Sequence, residues 1–595
     1  MMNNLSPRLS AYPNKSATHR RKRRTVSAPV VASVMVFAAI LMITVIGLWP
    51  QPFVRIVNKV STLLTEQAYS NGALAETKAK AAATAIHQSH QTRQTDQSTP
   101  MSTPNAAAVQ VINGPLHVAT TNPRYFADAD GNIVYLTGSH TWSNFQDNGG
   151  SDPPPVFDYT TYLDFLETNN HNFFRLWTWE ESRWTTETGD DDYWFNPGPP
   201  YLRTGPGMAV DGKPKFDLSQ FDQSYFDRMR ARVIEAQARG FYVAIVLFNG
   251  WSVSASKGWF DANNPWQGHP FNPTNNINDI NGDPNGDNSG EEIHTLAIPA
   301  ITALQEDYVR KVVDTVNDLD NVLYEISNES NNGSEAWQYH MIDLIHSYEA
   351  TKAEQHPVGM TVEWPDGDNE ALYASPADWI SPNGEISFPE VADGRKVILL
   401  DTDHLCGVCG DRGWVWKAFT RGHNPIFMDG YDGAGYGVGG AGFNFDDGVW
   451  VTLRRNLGYS RAYANRMDLA AMTPHGELAS SGYCLASPTA HYPEYLVYLP
   501  NSGTVTVDLS DSTGEFTVEW FDPKTGETTT GANVTGGRQQ RVTAPFDTDA
   551  VLYIYTTAKR AATTTVMVTA TITPTQSVTA TAVATGQQPL HSQQH

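Results

Sequence analysis

The stretch Asn321-Val-Leu-Tyr-Glu-Ile-Ser-Asn-Glu329 decides the fold expected for this chain. Its apolar and β-branched residues predict a buried strand that ends in an Asn-Glu pair. The break Asn331-Asn-Gly-Ser334 follows, and residues Glu335 to Glu349 have a helical pattern. The segment therefore predicts a strand, a loop and a helix, with the Glu329 carboxyl at the C-terminal end of the strand. A single Asn-Glu pair is also typical of an exposed helix cap, so the assignment of Glu329 depends on the rest of the chain.

The same pattern recurs along the middle of the chain, where strand-like runs alternate with amphipathic helix-like runs. The strand-like runs are Ile133–Thr137, Phe173–Trp177, Tyr242–Phe248, Val322–Ser327, Val358–Val362, Trp379–Ser381, Val397–Leu400 and Pro425–Met428. Eight strands with intervening helices predict an α/β protein with a (β/α)8 barrel, here assigned to residues 110–486. In such a barrel, catalytic groups lie just beyond the C-terminal ends of the strands.

The spacing of apolar residues changes after the predicted barrel. Short alternating runs separated by Gly-containing turns occupy residues 487–556, and they predict a small β-sandwich. Residues 50–109 and 557–595 are rich in Ala, Thr, Ser and Gln and have no sustained apolar face. We interpret them as a low-complexity linker and a disordered tail.

The N-terminus predicts export. Residues 1–27 contain seven Lys and Arg and no acidic residue, and residues 28–49 are uncharged. That span is long enough to cross a bilayer at ~1.5 Å per residue, and the basic flank predicts a cytoplasmic N-terminal tail. A single-pass membrane protein with an extracellular catalytic domain is the favoured interpretation, and a secreted protein with a cleaved signal segment is the alternative.

The charge and cysteine content of the chain limit which substrates, partners and cofactors are expected. Removing the seven N-terminal basic residues leaves 33 of the 40 Lys and Arg against 64 Asp and Glu, so the exported part would repel nucleic acid. A polysaccharide or oligosaccharide is the expected substrate. Cys406 and Cys409 are expected to close a small disulfide, and no metal or other cofactor is expected to be required. Structural calcium is an alternative at the Asp-rich loop 279–291, although glycine is absent from the position that a calcium loop demands.

Polar and aromatic residues follow the predicted strands at one rim of the barrel. Tryptophan faces cover the apolar CH patches of a sugar, and neighbouring polar groups bind its hydroxyls, so this pairing predicts a saccharide site. The candidate substrate-binding residues are His140, Trp142, Arg175, Trp177, Trp179, Trp251, Asn328, Trp364, His404 and Tyr431.

At this point the chain resembles a known family. Glu325-Ile-Ser-Asn-Glu329, with Arg175 at the second strand and an acid at the seventh, is similar to the clan A glycoside hydrolases. Leu136-Thr-Gly-Ser-His-Thr-Trp142, Phe174-Arg-Leu-Trp177 and Trp520-Phe-Asp-Pro-Lys-Thr-Gly526 resemble the cellulase-like barrels of the DUF4038 type, which carry a C-terminal β-domain labelled collagen-binding. The resemblance covers roughly residues 111–555.

The resemblance implies an extracellular O-glycosyl hydrolase. Glu329 would be the general acid/base, Asn328 would bind the sugar 2-hydroxyl, and Arg175 would hold the second carboxylate. The clan presents Glu there, whereas this chain presents Asp401 and Asp403, which would share one face of a strand. Either could serve, and Asp429 would serve if the eighth predicted strand were the seventh. Retention and inversion both stay open.

Two other functions compete with hydrolysis of a glycoside. A non-catalytic carbohydrate-binding barrel is favoured if Glu329 and the aspartates do not meet at one cleft. The second is a collagen peptidase, and the sequence lacks the catalytic motifs that this function would need. It contains neither a His-Glu-x-x-His zinc motif nor a Gly-x-Ser-x-Gly elbow.

Overall fold

The computed structural model describes residues 111–185, 193–196, 198–254, 264–365, 367–431 and 447–556. The predicted tail 1–27, membrane or signal segment 28–49, linker 50–109 and C-terminal tail 557–595 lie outside the described residues. In the part of the chain that is described, no helix has the length and apolar character needed to cross a membrane.

Eight parallel strands form the barrel, in the order of the chain around the ring. The strands are β1 Gly138–His140, β2 Phe173–Leu176, β3 Tyr242–Asn249, β4 Val322–Asn328, β5 Val358–Thr361, β6 Trp379–Ser381, β7 Val397–Asp401 and β8 Asn424–Met428. The helices that follow them are α1 Tyr159–Thr168, α2 Gln223–Ala238, α3 Pro299–Val316, α4 Glu335–Glu349, α5 Asn369–Ala374, α6 Arg412–Thr420 and α7 Gly448–Ala464. The predicted (β/α)8 barrel is confirmed.

The first barrel strand differs from its prediction. Ile133–Val134 pairs with Phe126–Ala127, which in turn pairs with His117–Val118, in a small antiparallel sheet. Gly138–His140 instead pairs with β8 in the barrel. The apolar run 133–137 therefore contains a strand that precedes the barrel and pairs outside it. The sequence could not show this, because buried side chains are expected in both sheets.

Asn172 and Gly138 close the ring between β1 and β2. The Asn172 backbone N–H donates to the Thr137 carbonyl at 3.0 Å, and the Asn172 side chain accepts from the Thr137 N–H at 3.0 Å. A Cβ atom at Gly138 would lie 2.1 Å from the Phe173 carbonyl oxygen. Glycine is therefore required for the two strands to approach each other.

The barrel strands are buried on both faces, as their apolar composition predicts. In β3 all eight residues are buried. Val243, Ile245 and Leu247 join the core beneath the helices, whereas Tyr242 and Ala244 belong to a separate cluster with residues of other barrel strands. Aspartate side chains cap the N-termini of five helices and accept backbone N–H groups there. The capping residues are Asp158, Asp222, Asp368, Asp411 and Asp447.

Two insertions extend the C-terminal side of β2 and β3. After β2, Arg183–Thr185 pairs with Tyr193–Phe195, and Tyr201–Met208 pairs with Pro214–Phe221. After β3 come the short helix Gly250–Val253 and the 3-10 helices Pro265–Gly268 and Glu291–His294. Further 3-10 helices are Thr402–His404 and Gly476–Leu478.

The C-terminal domain consists of two antiparallel sheets. Its strands are β9 Thr473–Pro474, β10 Cys484–Ala486, β11 Glu494–Leu499, β12 Thr504–Asp508, β13 Glu515–Phe521, β14 Thr528–Thr530, β15 Val534–Thr535, β16 Gln539–Thr543 and β17 Ala550–Thr556. The larger sheet has the order β9-β10-β11-β17-β13-β14, with β15 also paired to β13, and β12 pairs with β16. The domain begins before the predicted residue 487, because β10 pairs with β11.

The larger sheet is buried on both faces. Alternate residues Tyr495, Val497 and Leu499 pack toward the β12–β16 sheet, and Leu496 and Tyr498 pack on barrel helices α6 and α7. The turn that follows Asp522 rests on α7, where Asn456 donates to the carbonyl of Pro523 at 2.8 Å. A Cβ at Gly526 would meet the Tyr459 hydroxyl at 2.3 Å. This Asp-Pro-x-x-Gly motif therefore serves docking of the domain onto the barrel.

A buried ion pair fixes the end of β8 to α7. Arg454 donates from Nε and Nη2 to the two oxygens of Asp429 at 2.7 and 2.6 Å, and neither side chain is more than 2% exposed. Burial raises the pKa of Asp429, and the Arg454 cation opposes that rise. The carboxylate thus depends on Arg454 for its charge compensation.

Replacing Arg454 with Met should lower the free energy of unfolding by about 3–5 kcal/mol, because Asp429 would then be buried without its partner. Chemical denaturation at neutral pH measures the change. The double variant Arg454→Met/Asp429→Asn removes the orphaned charge and should regain part of the loss. Equal stability of Arg454→Met and the unmodified protein would contradict this account.

Candidate active site

Arg175, on β2, gathers side chains from two other barrel strands and from the turn that follows one of them. Its Nε donates to Oε2 of Glu325 at 2.8 Å, and Nη2 donates to the other Glu325 oxygen. Nη1 donates to Oδ2 of Asp401 and to Oδ2 of Asp403, both at 3.0 Å. Nη2 also donates to Oδ1 of Asn328 at 2.7 Å. The ends of β2, β4 and β7 therefore meet around one guanidinium group.

The cluster holds its charges by mutual compensation. Burial alone would lower the pKa of Arg175, but the carboxylates of Glu325 and Asp401 raise that pKa above its ordinary value. Burial likewise acts to raise the pKa of Asp401, and His140 and Arg175 outweigh it, so the pKa of Asp401 is lowered. Asp401 is therefore ionised at neutral pH.

Asp401 and Asp403 have different surroundings. Asp401 is 1% exposed, and its two oxygens contact His140 Nε2, Arg175 and the backbone N–H of Asp403. The Asp403 side chain is 8% exposed. The strand ends at Asp401, and Thr402–His404 forms a 3-10 helix, so the prediction that both aspartates share one face of a strand is wrong. The helical turn nevertheless brings both carboxylates to the same Arg175 nitrogen.

Trp177 fixes the tautomer of His140. The indole Nε1–H of Trp177 donates to Nδ1 of His140 at 2.8 Å. Because an indole nitrogen can only donate, Nδ1 must be the accepting nitrogen and the imidazole proton lies on Nε2. Nε2 then donates to Asp401. Trp177, with 1% of its surface exposed, is therefore a positioning residue for the carboxylate cluster.

Asn328 is oriented by two donors. Its Oδ1 lies 2.7 Å from Arg175 Nη2 and 3.2 Å from His404 Nε2. The other His404 nitrogen, Nδ1, is 2.7 Å from the hydroxyl of Ser381 at the end of β6. Burial and the Arg175 charge lower the pKa of His404, which keeps it neutral. With Oδ1 occupied, the Asn328 amide nitrogen is the group that can donate to a ligand.

Glu329 follows Asn328 in an unusual backbone conformation. Its φ angle is 45°, in the left-handed region that non-glycine residues rarely adopt. Backbone conformations of this kind concentrate at functional sites. The turn passes over Gly250 at the end of β3, where a Cβ atom would lie 2.1 Å from the Glu329 carbonyl oxygen. Gly250, the first residue of the short helix that follows β3, thus makes room for the loop that carries Glu329.

A tryptophan cluster adjoins the carboxylates. The rings of Trp177 and Trp179 stack at 5.8 Å between centroids, and those of Trp179 and Trp184 at 5.3 Å. Trp142 and Trp251 pack against this cluster and are partly exposed. Within the described residues, the indole N–H groups of these two outer tryptophans have no hydrogen-bond acceptor. Trp142, Trp177, Trp179 and Trp251 are thus brought together in one aromatic cluster, in which only Trp142 and Trp251 of these four are partly exposed.

Three candidate residues lie outside both the Arg175 contacts and the tryptophan cluster. Asp429 is held by Arg454, and since Asp401 ends the seventh strand, the condition under which Asp429 would replace it is not met. Tyr431 packs against Phe165 at 4.8 Å between ring centroids. Trp364 is 39% exposed and its backbone N–H donates to the Ser330 carbonyl at 2.9 Å. Its exposure leaves it at the rim.

Sequence reasoning missed the internal partners of the site. Glu325 lies on β4, four residues before Glu329, and the sequence pattern around it indicates no role. Glu180 was also missed, and it accepts from His269 and lies 3.3 Å from Nε2 of His294. Burial acts to raise the pKa of Glu180, but both histidines hold that pKa at about 2. The histidines come from the insertion after β3, so no local pattern announces this contact.

The predicted disulfide follows the aspartates directly. Cys406 and Cys409 are bonded, and the Thr402 carbonyl accepts from the backbone N–H groups of Leu405, Cys406 and Gly407. Among the described residues, no group of three or more His, Cys, Asp or Glu side chains has the arrangement of a metal site. In the Asp-rich loop, Asp283 accepts backbone N–H groups from Gly286, Asp287 and Asn288. Calcium at 279–291 stays a prediction.

Replacing Arg175 with Met should lower the free energy of unfolding by about 3–5 kcal/mol at pH 7. The loss should shrink toward pH 4. In the unmodified protein the lowered pKa of Asp401 gives stability that is present above about pH 4 and lost as pH falls. Without the cation, protonation relieves the buried carboxylates, so the variant gains relative stability as the pH falls.

Denaturant unfolding between pH 7 and pH 4 measures this difference. Arg395→Met is the matched control, because the Arg395 side chain is 50% exposed. A pH-independent loss for Arg175→Met, equal to that of the control, would refute charge compensation as the role of Arg175.

Replacing Gly250 with Ala should lower the free energy of unfolding by about 1–3 kcal/mol, because the new Cβ would overlap the backbone of Glu329. Gly150 is the control, since a Cβ there meets nothing within 4 Å. Thermal unfolding of both alanine variants decides the matter. Similar melting temperatures would show that the loop accommodates the added carbon.

Comparisons with known proteins bear on separate parts of the chain. A family model described as "Domain of unknown function (DUF6298)" matches residues 186–369, and one described as "Putative collagen-binding domain of a collagenase" matches residues 476–555. The second match carries the collagen-binding label that the sequence resemblance implied, and the first names a domain other than the DUF4038 type. No curated protein matches the chain.

Solved structures of glycoside hydrolases are similar to the chain at low identity. One titled "Glycoside hydrolase" is 13% identical, with 76% of this chain and 99% of that chain covered and a TM-score of 0.48. A glycoside hydrolase family 5 protein from Bacteroides vulgatus ATCC 8482 is 12% identical, with 76% and 94% covered and a TM-score of 0.49. A family 5 mannosidase from Rhizomucor miehei is 12% identical, with 53% and 85% covered and a TM-score of 0.33.

Proposed function

We propose that this protein is an O-glycoside hydrolase that acts on a polysaccharide or oligosaccharide. The observation that carries the proposal is the convergence on Arg175 of Asn328, Asp401 and Asp403 at the C-terminal ends of the barrel strands. Paired carboxyl groups are the basic equipment of glycoside hydrolysis, one to donate a proton and one to remain ionised. Glu329, the residue after Asn328, supplies the proton in this proposal.

Asp403 is the favoured second carboxylate. The two oxygens of Asp401 contact His140, Arg175 and the Asp403 backbone N–H, and Asp401 is 1% exposed. The Asp403 carboxylate shares the Arg175 nitrogen and retains more exposure. Asp401 then acts as a positioning residue that holds Arg175 and the following turn. Asp403 would attack the anomeric carbon directly or activate a water molecule, depending on its separation from Glu329.

The tryptophan cluster and Asn328 support a sugar as the ligand. Trp142 and Trp251 offer partly exposed rings next to Trp177 and Trp179, and their buried indole N–H groups have no acceptor among the described residues. Aromatic rings cover the CH faces of sugars, and indole N–H groups bind hydroxyl oxygens. The Asn328 amide nitrogen can donate to the sugar hydroxyl next to the reacting carbon. The extracellular location forms part of the proposal and depends on the sequence of residues 1–49.

Hydrolysis of a glycan panel by wild type, Glu329→Gln and Asp403→Asn tests the assignment. Each substitution should lower kcat by at least about 100-fold, because general acid/base catalysis alone contributes factors of that size. Melting temperatures should stay close to that of wild type. Glu335→Gln is the control, since Glu335 is exposed at the start of α4.

The other outcomes reassign the residues. Full activity of Glu329→Gln would refute its acid/base role, and loss in Asp401→Asn without loss in Asp403→Asn would exchange the two aspartates. Saccharide binding without cleavage in wild type would favour the non-catalytic carbohydrate-binding barrel. The anomeric configuration of the first product, followed by NMR, would distinguish retention from inversion.

A further inference from the structure

A cleft in the C-terminal domain lies apart from the barrel site. Its volume is about 680 Å³, within the range of about 300–1,000 Å³ that is typical of ligand sites. Two loops form its walls, residues 488–493 before β11 and residues 511–515 before and at the start of β13. Thr556, the last residue of β17, completes the lining.

Hydrogen bonds within the domain hold the cleft walls in place. The Ser512 hydroxyl donates to the Pro488 carbonyl at 2.6 Å and lies 2.6 Å from the hydroxyl of Tyr495, so one side chain joins both loops. Glu515 accepts from Asn533 at 2.8 Å. A site with such fixed walls loses little conformational entropy when a ligand binds.

The lining combines an aromatic ring with hydrogen-bonding groups. Tyr492 is 39% exposed, and His491 packs on it at 4.3 Å between ring centroids. Asp511 and Glu515 are exposed carboxylates on the opposite loop. Thr556 is 8% exposed, and its hydroxyl has no hydrogen-bond partner among the described residues. A buried, unpartnered hydroxyl in a cleft is a group that a ligand can satisfy.

The cleft lies at the end of the larger sheet opposite the end near the catalytic rim. In the pairing of β11 with β17, Glu494 faces Tyr555 at the cleft end, and Leu499 faces Ala550 at the other end. The residue before Ala550, Asp549, binds Arg412 at the start of α6. A strand of this length spans about 20 Å. A ligand in the cleft would therefore contact none of the Arg175 cluster.

We propose that this cleft is a second, non-catalytic binding site for a saccharide chain. A sugar offers an apolar face for the Tyr492 ring and hydroxyl donors for Asp511 and Glu515. A sugar oxygen or hydroxyl satisfies Thr556. A collagen-like peptide, which the domain label suggests, is mostly apolar and has few donors for the two carboxylates. The site would hold a polymer to the protein at a distance from the barrel.

Calorimetric titration of the full chain tests the proposal. The probes are hexasaccharides of β-1,4-linked glucose, mannose and xylose, together with a (Gly-Pro-Pro)-repeat peptide. At least one hexasaccharide should bind to wild type, and Tyr492→Ala should weaken that binding roughly 3- to 10-fold. Tyr492→Phe should retain it, because the ring is kept. Phe388→Ala, which removes an exposed ring elsewhere, should leave it unchanged.

A second measurement separates this site from the barrel. Tyr492→Ala should hydrolyse a short soluble substrate at the wild-type rate, whereas Glu329→Gln should lose hydrolysis and keep the Tyr492-dependent binding. The proposal is overturned if no hexasaccharide binds, or if Tyr492→Ala binds as tightly as wild type. It is also overturned if the repeat peptide is the only probe whose binding depends on Tyr492.

Discussion

The candidate site depends on one buried cation. Arg175 has two carboxylates and an amide within hydrogen-bond distance of its Nη groups, and a third carboxylate, that of Glu325, is held by Nε and Nη2. Such a group of buried acids would repel one another and take up protons if the guanidinium were absent. The geometry of a planar fork also sets where each acid lies, which a lysine could not do. The same contacts with Arg175 therefore compensate the charges of the acids and position them.

Support around this cation is arranged in layers. Trp177 holds His140, His140 holds Asp401, and Asp401 holds both Arg175 and the turn that begins Thr402–His404. The following disulfide loop is tied to the Thr402 carbonyl. A second chain of contacts runs from Glu180 to His294, and His294 Nδ1 lies 3.2 Å from the hydroxyl of Ser330, the neighbour of Glu329. Both candidate catalytic acids are therefore flanked by side chains whose own partners are fixed.

The sequence predicted the barrel well, because eight apolar runs alternate with helical ones at regular spacing. It predicted α4 at its observed bounds and most strands to within a residue or two. It failed at Ile133–Val134, because burial cannot tell a feeding sheet from a barrel strand. It also failed at Asp403, where a 3-10 turn replaced the extended chain. Glu325 and the two histidines beside Glu180 could not be found, since charge partners distant in sequence leave no local pattern.

The C-terminal domain and the barrel share an apolar interface, because both faces of the larger sheet are covered. One face of that sheet covers β12 and β16, and the other lies on α6 and α7. Cutting the chain between α7 and β9 would uncover an aromatic surface on each fragment, including Trp416 on one and Phe521 on the other. Exposed apolar patches of this kind promote aggregation. Each part therefore covers an apolar surface of the other, and grafting either part onto another scaffold would require a redesigned surface.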